Sequence, residues 1–262
     1  MPGVFRRFGR RSLMLAALSL WGTPSKPAER MTADQVRAAV AAGKVDLSGR
    51  DMSHADLTGL DLSGAKLAGA NFSGANMHGV KLVGTDLTGA DLNNVDLTFA
   101  WIMRANFTGV RLHGATMQTV VTSTGMENTP DQAATFVGAD LSDASITVHF
   151  SFDDMRGANF SNAHMTVNMA NQSMGLLRSE FISANLNGAD FTGAGLGHVS
   201  FRFARLNDAH FTDADLSYAD FTGAYLTGAD FTNANVQGAT FESATLTSVK
   251  GLDKSAVARS AK

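Results

Sequence analysis

Carboxylates, histidines, and aromatics beside a cation are the groups in this 262-residue chain that could do chemistry. Asp190, His210 and Asp230 stand twenty residues apart. A histidine between two carboxylates can hold its proton or share a metal with them, yet two carboxylates and one imidazole are a thin ligand set. The seven histidines, His54, His78, His113, His149, His164, His198 and His210, never recur at that interval, so they form no imidazole stack for a transition metal. A second group is Phe99, Trp101 and Arg104, aromatics next to a cation of the kind that makes contact patches; the turn-rich stretch 120–133 is the alternative, as a cover for them. A third is the methionine-rich stretch Val148–Arg178 (Met155, Met165, Met169, Met174), where methionine suits a core whose register has slipped. Cysteine is absent, which removes disulfides and thiolate metal sites. No nucleophile elbow, phosphate-binding glycine loop or HExxH occurs. This inventory predicts no enzyme, no catalytic residue, no cofactor and no metal.

The elements that position these groups follow from one stretch. Ser179 to Ser248 is fourteen five-residue units in unbroken phase, with a large apolar residue in every third place and alanine opening twelve of them. Five matches neither the helical period nor plain alternation, so a repeat architecture is indicated. First and third places lie two apart, and on extended backbone such side chains point the same way. Each unit therefore sends one small and one large apolar group inward, and its fifth place, often glycine (Gly188, Gly193, Gly223), turns the corner.

Units such as A-D-F-T-G, A-Y-L-T-G and A-D-F-T-N resemble the pentapeptide-repeat family. The resemblance implies an all-β fold, a right-handed quadrilateral β-helix with four units to a coil. Under a twenty-residue coil Phe181, Phe201, Phe221 and Phe241 stack on one wall and Phe191, Phe211 and Phe231 on the opposite one, filling the interior and leaving no lumen. Second-place residues then form outward ladders: Asp190, His210, Asp230 is one, and Asp46, Lys66, Asp86 another that alternates in sign.

Domain boundaries follow from the frame. Residues 1–28 read as an export signal, with a basic start, an apolar run from Leu13 to Trp21, and Arg10-Arg11-Ser12-Leu13-Met14 resembling a twin-arginine motif. The run is too short for a membrane span, which takes about 20 residues. Export predicts a periplasmic protein; the alternative is a cytoplasmic one starting at Met31. In 29–44, Thr32 with Gln35 forms a capping-box pattern and Gly43 a stop, predicting a short helix that caps the solenoid. The solenoid occupies 45–248 with irregular segments at 120–133 and 166–178. Thr119 ends a first block of fifteen units, and the 19 residues from Met117 to Phe136 read as a loop replacing most of four units. A residue is lost between Ile146 and Phe150. Thirty-six units make about nine coils, a rod on the order of 43 Å long at about 4.8 Å per strand. Residues 249–262 are a polar tail.

Residues 29–262 carry 16 basic against 24 acidic side chains, a net of −8, which disfavours direct nucleic-acid binding. The functional expectation is a non-catalytic rod presenting a rigid surface to a protein partner. The resemblance implies a second reading. Family members of similar repeat pattern protect DNA gyrase by presenting an acidic rod shaped like duplex DNA, and the aspartates Asp46, Asp51, Asp56 and Asp61 fit that. Lys66, Lys81, Arg111 and Arg205 interrupt the same ladders. The resemblance also implies a homodimer joined through solenoid ends as one available state.

Overall fold

The computed structural model describes residues 30–43, 45–125, 127–165 and 178–253. The export signal read in 1–28, most of the 166–178 segment with Met169 and Met174, and the tail beyond Asp253 lie outside the described residues.

Each five-residue unit makes one short extended segment and one corner. Second-place residues pair in parallel with the second-place residues of the next coil, as in Asp51 with Asn71 with Asp91, in four such ladders, the fourth of which is interrupted between Val121 and His149. We call them the first to fourth faces, beginning at Asp46, Asp51, Asp56 and Asp61. Both flanking amides bond between coils: Asp230 N–H donates to Ala209 O at 2.9 Å, and Phe211 N–H donates to Asp230 O at 2.7 Å. Within the unit the next first-place amide closes the turn, as Ala214 N–H does onto Phe211 O at 3.1 Å. Almost every backbone group is satisfied without a long strand, as a narrow solenoid requires.

Aspartate and asparagine in second place have a structural reason. Their Oδ1 accepts the amide two residues on, for example from Ser53 to Asp51 at 3.0 Å and from Thr222 to Asp220 at 2.9 Å. That local bond fixes the turn. The fifth place takes positive φ at nearly every described corner, half of them filled by glycine and half by residues with a Cβ, Asn94, Asn162, Asp208 and Asn233 among them.

The interior is a continuous apolar column of first- and third-place side chains. Phe181, Phe201, Phe221 and Phe241 stack face to face at 5.0–5.1 Å, and Phe191, Phe211 and Phe231 do so at 4.8–5.1 Å. The columns meet edge to face, with Phe211 and Phe221 at 5.7 Å. Offset stacks and edge contacts each add roughly 0.5–1.5 kcal/mol beyond burial, so the axis is filled.

The register differs from the sequence reading at the first break. Phe136 stacks on Phe107, 4.6 Å away, and Asn106 pairs with Thr135, 29 residues on. Residues 122–133 are therefore a loop of nine extra residues within one coil, not a substitute for most of four units. Asn106 keeps its hydrogen-bonding place above Thr135, whatever chain is looped out between. Pairs then run 19 apart (Asp140 with Asn159), 31 apart (Asn159 with Asp190) and 20 apart again (Asp190 with His210). Among the described residues one three-residue strand pair, β1 (Thr116–Gln118) with β2 (Ser145–Thr147), spans the loop in parallel. Pairing continues to Lys250, which bonds Asp230.

Helix α1 covers Ala33–Ala41. Gln35 N–H donates to Thr32 Oγ1 at 3.2 Å and Thr32 N–H to Gln35 Oε1 at 2.7 Å. The helix lays Val36, fully buried, into the first coil, and Arg37 donates to Asp56 O at 3.1 Å. No helix among the described residues is long and apolar enough to cross a membrane.

Candidate functional site

The exposed aromatics gather on and around the fourth face. Its ladder runs Asp61, Lys81, Trp101, Val121, then His149, Glu180, Ser200, Asp220, Thr240. Phe99 and Tyr218 stand on its corner with the third face, and Phe152 and Phe203 on its corner with the first. Tyr225 lies just beyond, on the first face. With Trp101 these are all the exposed aromatics among the described residues, from 36% to 56% accessible.

Four of them occupy fifth places and so sit at positive φ: Phe99 at 59°, Phe152 at 69°, Phe203 at 57° and Tyr218 at 58°. A left-handed conformation costs a residue with a Cβ about 1–2 kcal/mol. Glycine serves half of the described corners without that cost, and these four rings stand where glycine would relieve it. Where a ring leans along the rod, the next corner makes room. A Cβ at Gly223 would meet the Phe203 ring at 2.5 Å, and one at Gly238 would meet Tyr218 at 2.6 Å. Tyr218 stacks on His198 at 5.0 Å and Phe99 sets its edge against His78 at 5.2 Å.

Phe99, Trp101 and Arg104 are thus neighbours at one level of this surface, and Phe99 and Trp101 are 47% and 37% accessible. Lys81 Nζ lies 5.8 Å from the Trp101 ring centre. The 122–133 loop leaves the same face and returns across it. Asn128 Nδ2 donates to His149 O at 2.8 Å, and Arg104 N–H donates to Gln132 O at 3.0 Å. Met103, next to Arg104, is 4% accessible, while the two aromatics stay open. Phe152, Phe203, Tyr218 and Tyr225 were not singled out from sequence. Aromatics in fifth places are a readable signal for three of them, but only the stacking order puts them on one side.

Asp190, His210 and Asp230 are successive rungs of the second face. Asp190 Oδ1 accepts the Thr192 amide at 2.9 Å and Asp230 Oδ1 the Thr232 amide at 2.9 Å. The Thr232 hydroxyl and amide, with Lys250 and His210 nearby, hold the Asp230 carboxyl below the usual range. Their oxygens are engaged in shaping turns, and no cluster of three His, Asp or Glu among the described residues could hold a metal. This face carries the most aspartates in its ladder: Asp51, Asp91, Asp140, Asp190 and Asp230 alternate along it with Asn71, Arg111, Asn159, His210 and Lys250.

One carboxylate points inward. Asp153 stands in a first place, where alanine is usual, and is 2% accessible. Its Oδ1 accepts the Ala134 amide at 2.8 Å. Ala134 follows the loop, so its N–H lacks the carbonyl three residues back that other first-place amides use. Burial pushes the Asp153 carboxyl well above the ordinary range.

A sequence profile of pentapeptide repeats matches the chain in eight copies, over residues 44–79, 70–109, 196–233 and 209–248. No curated protein sequence matches it. Among solved structures it is similar to HetL, a pentapeptide repeat protein involved in heterocyst differentiation regulation in Nostoc sp. strain PCC 7120. Identity there is 24%, over 84% of this chain and 97% of that one, with a TM-score of 0.40. Full-length QnrB1, a plasmid-mediated fluoroquinolone resistance protein, is 16% identical over 82% and 94%, with a TM-score of 0.35. A pentapeptide repeat protein of the Arabidopsis thaliana thylakoid lumen is 24% identical over 62% and 72%, with a TM-score of 0.29. With its repeats matched and its units stacked four to a coil, the chain belongs to the pentapeptide-repeat family.

Proposed function

We propose that this protein is a non-catalytic binding rod whose fourth face, with Phe99, Trp101 and Arg104 at its centre of contact, docks a protein partner. The observation that carries this is the gathering of every exposed aromatic among the described residues onto one face, its two corners and the adjoining edge, four of them in left-handed backbone. Exposed aromatics beside arginine are the usual anchors of protein interfaces. The rod is taken as right-handed, with α1 closing its first coil. The test is partner capture by the protein and by a Phe99→Gly/Trp101→Ser variant. Loss of the captured partner, with circular dichroism unchanged, supports the proposal, and full retention defeats it.

Export belongs to the same proposal, because the basic start, apolar run and Arg10-Arg11 pair precede the folded rod. Fractionation of wild type and an Arg10→Lys/Arg11→Lys variant checks it, and wild type retained in the cytosol ends it.

A second reading rests on the acidic second face, where Asp51, Asp91, Asp140, Asp190 and Asp230 share one ladder and Asp143 and Asp213 stand at its corner. Such a stripe can imitate a phosphate backbone toward an enzyme that binds duplex DNA. A gyrase supercoiling assay decides it, since absence of inhibition at micromolar protein removes the reading.

A further inference from the structure

Two first-place side chains patch the column where its register slips, and only one of them can ionise. After Ile146 the task falls to Ser179, whose Oγ accepts the Val148 amide at 3.4 Å and whose hydroxyl donates to Ile146 O at 3.1 Å. That hydroxyl is fully used and stays neutral. At the end of the loop the task falls to Asp153, which accepts the Ala134 amide with Oδ1 and leaves Oδ2 buried without a partner. A hydroxyl or a carboxamide would meet the orphan amide without an ionisable group in a dry column.

We propose that Asp153 is a pH-sensitive latch: holding the Ala134 amide from inside the column, it keeps the returning limb 128–134 seated against Arg104 and releases it as pH rises. The inference rests on reading Phe99, Trp101 and Arg104 as the contact surface, and it adds a means of regulating that surface.

The limb is thinly tied. The bond from Ala134 to Asp153 is its last before the ladder resumes, where Thr135 N–H donates to Ala105 O at 3.1 Å. Ahead of it, Arg104 N–H donates to Gln132 O at 3.0 Å and Asn128 Nδ2 to His149 O at 2.8 Å. Gln132 and Ala133 are half-buried. Lifting the limb brings water to Asp153 and frees the amide of Arg104, a residue at a φ of 58° beside the exposed Trp101.

With the limb seated, burial pushes the carboxyl up by more than the Ala134 amide lowers it, and no charged side chain contributes. The ionisable groups on the surrounding elements lie outside the column: Glu127 and Asp131 on the loop, His149 and Glu180 on the fourth face, Asp154 and Arg156 on its own rung. With the limb lifted, the hydrated carboxyl returns to about 4. Between those two values each pH unit shifts the balance toward the open limb about tenfold, and below the lower one the limb stays shut.

Amide exchange in the full chain tests the latch. At Ala134 and Arg104 the ratio of exchange in wild type to that in Asp153→Asn is expected to climb about tenfold per pH unit above pH 4 and then to level. Both amides are expected to exchange at least tenfold faster than that of Phe211, which is bonded to Asp230 O within the second block, because the opening is local. Asp153→Ala leaves Ala134 unheld and should exchange at least tenfold faster than Asp153→Asn at both amides, with no pH trend between these two variants. A wild-type to asparagine ratio flat from pH 4 to 8, an alanine variant exchanging no faster than the asparagine one, or an Ala134 amide as slow as that of Phe211 overturns the latch. A ratio that climbs at Ala134 and not at Arg104 overturns its hold on the contact surface. Partner capture undiminished in Phe99→Gly/Trp101→Ser defeats the binding surface and leaves the latch standing.

Discussion

Replacing Asp153 by asparagine is expected to stabilise the protein at neutral pH, increasingly so as pH rises. The carboxyl is enclosed in the column, and only its Oδ1 has a partner, the Ala134 amide at 2.8 Å; Oδ2 is buried with none. Desolvation raises its pKa well above the ordinary value, more than the Ala134 hydrogen bond lowers it. The folded state therefore keeps a proton that the unfolded chain releases above about pH 4. Stability falls as pH climbs from there to the raised folded value, by up to about 1.4 kcal/mol per pH unit, and is level beyond it. Asparagine retains an oxygen for Ala134 and has nothing to titrate. Thermal melts of both proteins from pH 4 to 8 should nearly coincide at the acid end and then separate. A domain of this size moves by about 2–4 °C for each kcal/mol. Asp153→Ala should lack the pH trend but lose the acceptor, costing about 1–3 kcal/mol. A constant gap between wild type and asparagine across the range, or a less stable asparagine variant at pH 7, would refute the reasoning.

Phe211→Ala removes a ring between Phe191 and Phe231 and two edge contacts, to Phe201 and Phe221, and should cost about 3–5 kcal/mol by denaturant titration. Phe203→Gly should leave the fold intact and raise stability by about 1 kcal/mol through relief of positive φ, while weakening capture of any fourth-face partner; a clear loss of stability would show the ring to be structural. The Asp46, Asp51, Asp56, Asp61 and Asp230 carboxyls are held below the ordinary range chiefly by hydrogen bonds from the residue two positions on. Their contribution is present above the unfolded value near 4 and disappears as pH falls through the lowered folded values. Acid melts should therefore show destabilisation beginning below pH 4, and removing one such bond, as in Asp61→Ala, should reduce it.

Some of the site was legible in advance. Phe99, Trp101 and Arg104 stand out because they break a strict five-residue rule, and the two phenylalanine columns follow from where phenylalanine recurs. Asp153 was not legible: in a first place it looks like a lapse from alanine, and its purpose shows only once Ala134 is seen to lack its turn carbonyl. The aspartates were readable as surface charge, but their bond to the amide two residues on is what selects them.

A five-residue period of small and large apolar groups is enough to dictate short extended segments, corners and a dry axis, because inward and outward are decided by neighbours two residues apart. That much the amino-acid order determined unaided. Which coil lies upon which is a different matter, settled by hydrogen bonds between segments 19, 29 or 31 residues distant. A looped-out stretch leaves no mark on the core pattern that would reveal its length. Phe99, Phe152, Phe203 and Tyr218 share no common interval along the chain. They reach one side of the rod only because two insertions and one deletion shift the phase between them, a sum that exists in the stacked structure alone.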